Sequence, residues 1–304
     1  MPPVELPNTE EQLARVISAI FQAVADVSVA LRSIGSEDAD GAVNIFGDRQ
    51  LKADVAADEI IFRKLRECGA VETASSEENT SMEPMGGTGY SVAFDPVDGS
   101  SIYPANWSVG TIFGIWPGAK LLGVTGREQA AAGFSVFGPR TLIVLARKTS
   151  GGVSTQEFTL LNGAWVVTRE ALTIPVSKKI FAPANMRAAS ENEEYQKLIL
   201  QWMADKYTLR YSGGLVPDIY HIFAKGGGVF CNPVSKSAPA KLRLLYEVAP
   251  LAYVVEAAGG ASNTGEGSAL DMPIATADVR CSAVFGSSVE VANCLPAMKV
   301  GREE

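Results

Sequence analysis

The 304-residue chain predicts a layered protein of mixed class, α/β in the broad sense and α+β in its layering. Three observations predict it. Long stretches repeat their apolar residues at the helical spacing of three and four. Short apolar runs bounded by turn residues lie between them and read as strands. The chain is also 47% hydrophobic and 20% charged, enough apolar material to bury a large core.

Thr9-Glu10-Glu11-Gln12 has the form of a capping box. Leu13, Val16, Ile17, Ile20, Phe21, Val24 and Leu31 follow at helical spacing up to Gly35, which predicts a helix over 10–33. A second helix is predicted over 49–68, stopped by Gly69. Strand-like runs occupy 90–94, 109–115 and 141–146, and the stretch GREQAAAGFSVFG predicts a helix over 126–138 between the last two. Further on, the pattern predicts helices over 191–206, 215–225 and 247–258, with short strands at 229–231 and 283–285. The connection TIPVSKK, 173–179, is the best boundary, giving an N-terminal half, 1–178, and a C-terminal half, 179–304. There is no internal repeat and no low-complexity tract.

The formal net charge of −8 argues against nucleic acid as a partner, because phosphate backbones require clustered Lys and Arg. An anionic substrate would need converging basic residues or bound cations. Cys68, Cys231, Cys281 and Cys294 form no CxxC pattern, so neither a zinc site nor a disulfide framework is expected, and a reducing compartment fits best. No uninterrupted apolar run approaches membrane-spanning length, and the start lacks a signal-peptide pattern, so the expected location is the cytoplasm, with no membrane partner.

The chemistry concentrates at AFDPVDGSS, 93–101, where an apolar strand surfaces. Asp95 and Asp98 stand three residues apart with a proline between them, so both carboxylates and the Val97 carbonyl can point into one small volume. Hard divalent cations such as Mg²⁺ bind oxygen sets of this kind. Behind them, Gly99, Ser100 and Ser101 offer successive amides and hydroxyls, a cradle for a phosphate. Taken alone the stretch would serve equally well as an Asx-type turn. An EF-hand loop beginning at Asp95 fails, since Asn106 stands where its closing Glu belongs. Glu77-Glu78 and the pair Asp48 and Asp54 read, in isolation, as solvated charges. Glu247 differs: it lies in the apolar run KLRLLYEVAPLAYVVEAAGG, where a carboxylate needs a partner, either a metal or a salt bridge to Arg243 or Lys241.

GDRQLKAD, SSEEN, FDPVDGSS, VGTIFGIWPG, LRYSGGLVPD and KLRLLYEVAPLAYVVEAAGG together resemble the fructose-1,6-bisphosphatase and sedoheptulose-1,7-bisphosphatase family, in order and spacing over nearly the whole chain. That family lies within the lithium-sensitive, metal-dependent sugar and inositol phosphatases. SSIYPANWSVGTIFGIWPG, LLGVTGREQAAAGFSVFGPRT, FAPANMRA and RYSGGLVPD resemble its sedoheptulose branch. The resemblance implies a sugar phosphatase fold of alternating helix and sheet layers, αβαβα. It implies hydrolysis of the C1 phosphate of sedoheptulose 1,7-bisphosphate to give sedoheptulose 7-phosphate. A fructose-1,6-bisphosphatase or a dual-specificity enzyme is the alternative, and an inactive sugar-phosphate regulator is the second alternative.

By the same resemblance, Glu77, Asp95, Val97, Asp98 and Glu247 hold two or three Mg²⁺ ions, for which Mn²⁺ can substitute. Asp54 and Glu78, with Asp48 nearby, serve catalysis by activating water. Gly99, Ser100 and Ser101 bind the departing phosphoryl group. Asn185, Arg187, Tyr211, Gly213, Gly214 and Lys241 meet the sugar and the distal phosphate, and Arg210 reaches a neighbouring subunit's site in a homodimer or homotetramer. An inactive relative should have lost one of these carboxylates, and all stand. In Asn232-Pro233, Asn232 stands where fructose bisphosphatases place an aromatic residue before the proline, which favours another substrate length. The stretch GSEDADGAV carries no cysteine pair, so thioredoxin-type switching is not expected there. Gly89 and Pro117 are not basic, so AMP inhibition is not expected either.

Overall fold

The computed structural model describes residues 4–35, 39–43 and 49–300. The chain begins with helix α1 (Glu11–Leu31), a two-stranded ribbon, β1 (Ala39–Val43) with β2 (Arg49–Leu51), and α2 (Lys52–Cys68), closed by Gly69 in the left-handed conformation. Its first large sheet has eight strands: β3 (Val71–Ser76), β4 (Glu83–Pro84), β5 (Tyr90–Asp98), β6 (Val109–Pro117), β7 (Ala131–Phe137), β8 (Thr141–Thr149), β9 (Gly152–Leu161) and β10 (Ala164–Arg169). They lie in the order β10-β9-β8-β7-β6-β5-β3-β4, antiparallel except where β3 joins β5. Then follow β11 (Ile180–Pro183), α3 (Glu193–Ala204), β12 (Thr208–Leu209), α4 (Leu215–Lys225) and β13 (Val229–Asn232). A π-helical turn, Leu244–Val248, runs into α5 (Ala249–Ala257), and β14 (Ala261–Asn263), β15 (Ala283–Gly286) and α6 (Ser288–Lys299) complete the chain. The second sheet has the order β12-β11-β13-β15-β14.

Strand alternation shows how these pieces stack, because successive side chains leave a sheet on opposite faces. In β8, Ile143 and Leu145 pack with α1 and α2, whereas Leu142, Val144 and Ala146 pack with α4 and α5. In the second sheet, Phe230 and Phe285 join that same central cluster, while Val229, Cys231 and Val284 face Trp202 of α3 and Cys294 of α6. The layers are therefore α1/α2, the eight-stranded sheet, α4/α5, the five-stranded sheet and α3/α6, the αβαβα arrangement. One hydrophobic cluster, running from Ala93 to Phe285, spans the boundary between the two halves.

Several elements differ from expectation. The cap of α1 is Glu10, whose carboxylate accepts the Gln12 and Leu13 amides, and Thr9 instead accepts from Arg147. The helix expected over 126–138 is a short 3₁₀ turn followed by β7. Its small residues read as helix formers, yet they are small because two layers crowd them: a Cβ on Gly133 would sit 2.4 Å from the Phe113 ring. β9, β10 and α6 were not foreseen. By length and composition α1 could cross a bilayer, with a mean hydropathy of 1.6, but its apolar face is the core contact to α2 and the sheet.

Candidate active site

The two carboxylates of FDPVDGSS reach one side of β5 through a bulge. In a regular strand, positions three apart point to opposite faces. Here Asp95 pairs with Ile112 but Asp98 pairs with Gly110, so one extra residue is absorbed between them. The Thr111 hydroxyl donates to the Pro96 carbonyl (2.8 Å) and the Val97 amide to Asp95 Oδ1 (3.0 Å), which fixes the bulge. Asp98 then accepts the Leu215 and Val216 amides at the start of α4, at 3.2 and 2.6 Å. Gly110 permits that approach: a Cβ there would lie 2.3 Å from the Ser135 carbonyl and 2.4 Å from Val216.

Beside β5, β3 ends at Ser76, and the turn that follows carries Glu77 and Glu78. It is closed by the Ser76 amide on the Asn79 carbonyl and the Asn79 amide on the Ser76 hydroxyl, both 2.9 Å, and the Glu77 amide is tied to the Phe94 carbonyl. From the central helix layer, the π-helical turn delivers Glu247, whose Oε2 accepts the Arg243 backbone amide at 2.6 Å. π-turns insert one residue into a helix and so redirect a side chain. Oxygens of Glu77, Asp95 and Glu247 all lie within 4.8 Å of one another. Ligands of one octahedral Mg²⁺ stand about 3 to 4 Å apart, so this donor set fits a hard divalent cation.

The electrostatics support that fit. Burial, then Asp98 and Glu247, holds the Asp95 carboxyl well above the usual carboxylate range. Burial pushes Glu247 up to about 8 and Asp98 to about 7, against the pull of their backbone donors. Asp54 sits at the third position of α2, where Oδ2 accepts the Leu51 amide at 2.9 Å. Its Oδ1 is buried without a hydrogen-bond partner, and burial pushes its pKa to about 7, with Glu78 and Asp58 adding to the rise. So many buried carboxylates in one place require protons or cations.

Glu77, Glu78, Asp95, Val97, Asp98, Gly99, Ser100, Ser101 and Glu247 line one cavity of about 390 Å³. An adjoining cavity of about 190 Å³ is lined by Asn185, Arg187, Tyr211, Gly213 and Gly214, with Lys241 common to both. Five of the anticipated carboxylates, Glu77, Glu78, Asp95, Asp98 and Glu247, thus meet the phosphate cradle in one space, and most of the anticipated sugar contacts lie in the next, while Asp54 is buried and lines neither cavity. Three further residues differ from expectation. Asp48 lies outside the described residues. Arg210 is exposed, donates to the Leu209 carbonyl and lines neither cavity. Asn185 lines its cavity, but its amide nitrogen donates to the Pro233 and Ala238 carbonyls.

Sequence reasoning offered Arg243 only as a salt-bridge partner for Glu247. Its guanidinium is paired with Glu77 and Asp278 and stands near enough to Glu247 to favour the ionised carboxylate, and its backbone amide also donates to that side chain. Asp58, one turn after Asp54, is raised to about 7 by burial while hydrogen-bonded to Ser76. Asp218 anchors the Ser212 and Gly213 amides. The signal for Asp58 was its helical spacing from Asp54. Arg280, which lines the larger cavity, had no local signal.

Two family models cover the chain: the fructose-1,6-bisphosphatase N-terminal domain matches residues 3–170 and the C-terminal domain residues 174–299. The chain belongs to the fructose-1,6-bisphosphatase family. It is 46% identical over 288 residues to the chloroplastic sedoheptulose-1,7-bisphosphatase of Spinacia oleracea, covering 93% of this chain and 73% of that one. To the class 1 fructose-1,6-bisphosphatase of Trichlorobacter lovleyi it is 37% identical, covering 94% and 90%. Among solved structures, a Toxoplasma gondii protein provisionally named a sedoheptulose-1,7 bisphosphatase superposes with a TM-score of 0.89 at 39% identity, covering 95% of each chain. The holo fructose-1,6-bisphosphatase of Leishmania major gives 0.85 at 30% identity, covering 95% and 94%.

Proposed function

We propose that this family member is a divalent-metal-dependent phosphatase that removes the C1 phosphate of sedoheptulose 1,7-bisphosphate, releasing sedoheptulose 7-phosphate and phosphate. The observation that carries this reading is the convergence of Glu77, Asp95 and Glu247 beside the Gly99–Ser101 turn, with a basic sugar-sized cavity adjoining. Its seven-carbon specificity rests on the 46% identity to the spinach enzyme against 37% to the bacterial fructose bisphosphatase.

Glu77, Asp95, Asp98, Glu247 and the Val97 carbonyl would hold Mg²⁺, or Mn²⁺ in its place. When bound, such cations neutralise phosphoryl charge and lower the pKa of an attacking water. Asp54, whose Oδ1 is without a hydrogen-bond partner, would take a proton from the attacking water, with Glu78 beside it assisting. The amides and hydroxyls of Gly99, Ser100 and Ser101 hold the transferred phosphoryl oxygens as charge develops on them. Arg187, Tyr211 and Lys241, with the Gly213-Gly214 turn, seat the sugar and its distal phosphate, and Asn185 keeps the wall of that cavity in shape. Residues 1–178 supply the water-activating pair and most of the carboxylates, and 179–304 supply Glu247 and the sugar seat. We read the enzyme as cytoplasmic and as a homodimer or homotetramer, in which Arg210 serves a neighbouring site.

The test is phosphate release with Mg²⁺ from sedoheptulose 1,7-bisphosphate and fructose 1,6-bisphosphate side by side, compared as kcat/KM. A clear preference for the seven-carbon sugar is expected. Equal or reversed preference would overturn the specificity, and no hydrolysis of either would overturn the reading.

A further inference from the structure

Within the larger cavity stands a residue that none of the motifs contains. Arg280 lines it together with Ser100, Ser101 and Glu247, and it is absent from the lining of the neighbouring sugar cavity. It arrives from a separate segment, where 279–281 pairs antiparallel with 242–244: Leu244 donates to the Val279 carbonyl at 2.7 Å and Cys281 to the Leu242 carbonyl at 3.0 Å. That short ladder places Arg243 and Arg280 side by side. A single carboxylate oxygen then holds both, since Asp278 Oδ1 accepts the Nε of Arg280 at 3.1 Å and the Nε of Arg243 at 3.4 Å. Bonds to Nε fix the plane of each guanidinium.

The two arginines differ in what they face. Arg243 is buried, at 2% exposure, and is paired with Glu77. Arg280 keeps 30% exposure and borders the open space over the Gly99–Ser101 turn. Asp278 is 45% exposed, so its ion pairs add little stability and its effect is orientation. A phosphoryl group undergoing transfer spreads charge over its peripheral oxygens, and a planar guanidinium held in place suits them.

We propose that Arg280 contacts the transferred phosphoryl group and that Asp278 is the positioning residue that sets its guanidinium. This rests on the phosphatase reading above. The experiment compares the full-length wild type with Arg280→Gln, Arg280→Lys and Asp278→Asn. The readouts are kcat/KM on the sugar bisphosphate, inhibition by inorganic phosphate, half-saturation by Mg²⁺ and Tm. Arg280→Gln is expected to lower kcat/KM about 100-fold, the scale of losing one transition-state donor, with weaker phosphate inhibition and little change in Mg²⁺ half-saturation. Arg280→Lys should restore part of the loss. Asp278→Asn should weaken phosphate inhibition in the same direction, about 3- to 10-fold, at unchanged Tm. Folded Arg280→Gln enzyme with wild-type phosphate inhibition would overturn the contact, and Asp278→Asn losing activity without a change in phosphate inhibition would overturn the positioning role. Should the wild type hydrolyse neither bisphosphate, the phosphatase reading fails. Calorimetric titration of wild type and Arg280→Gln with inorganic phosphate and Mg²⁺ would then still decide the contact: weaker binding by the variant supports it and equal binding overturns it.

Discussion

Replacing Asp54 by Asn should stabilise the metal-free protein while removing its activity, and the gain should grow with pH. The folded chain holds this carboxyl at about 7 against an ordinary value of 3.8, because it is buried at 2% exposure and faces Glu78 and Asp58. A carboxyl whose folded pKa is raised costs nothing below its unfolded pKa. Stability is then lost as pH climbs towards the folded value, since only the unfolded chain releases the proton. At 1.36 kcal/mol per pH unit, the cost of keeping Asp54 protonated or charged is about 2 kcal/mol at pH 5.5 and about 4 kcal/mol at pH 8. Asn abolishes that cost and keeps an oxygen for the Leu51 amide. The assay is urea unfolding of both proteins in a chelator at pH 5.5 and pH 8, beside phosphate release in Mg²⁺. The variant should gain about 2 kcal/mol more at the higher pH, and activity should fall at least about 100-fold, as for loss of a general base. A stability change that does not depend on pH, or a loss at pH 8, would refute the assignment of Asp54 as a buried, electrostatically strained carboxylate.

Three further outcomes follow from the same geometry. Asp98→Asn should leave circular dichroism unchanged and reduce Mg²⁺-dependent phosphate release below detection; retained turnover would remove Asp98 from the metal set. Gly110→Ala should cost about 2 kcal/mol or more in urea melts, since the new methyl meets Ser135 and Val216 and pushes α4 away from Asp98. Adding Mg²⁺ to chelator-treated protein should raise Tm more at pH 8 than at pH 6, because Asp98 and Glu247, at about 7 and 8, must shed protons before they bind a cation.

Much of the site was legible because its parts are local. FDPVDGSS announces itself within eight residues, and the unusual Glu in KLRLLYEVAP stands out against its apolar neighbours. The bulge was not legible: the proline suggested a turn, but only the pairing of Asp95 with Ile112 and Asp98 with Gly110 shows how one residue is absorbed. β9 was missed because it carries buried polar residues that read as loop. Gln156 is satisfied by Arg147 and Glu170, and Glu157 by Tyr220, Thr168 and Arg169, partners distant in sequence. Asp278 and Arg280 escaped for the same reason, since their meaning depends on pairing with a segment more than thirty residues away.

The three clustered carboxylates sit at positions 77, 95 and 247. A cation held jointly by Glu77 and Glu247 would tie together points about 170 residues apart, and so act on the unfolded chain as a reversible cross-link, in the manner of a disulfide across a long loop. Such a staple encloses the 173–179 connection. Cellular cation supply would then govern how readily proteases find this chain open, and a shortage would show first as shortened lifetime of the protein.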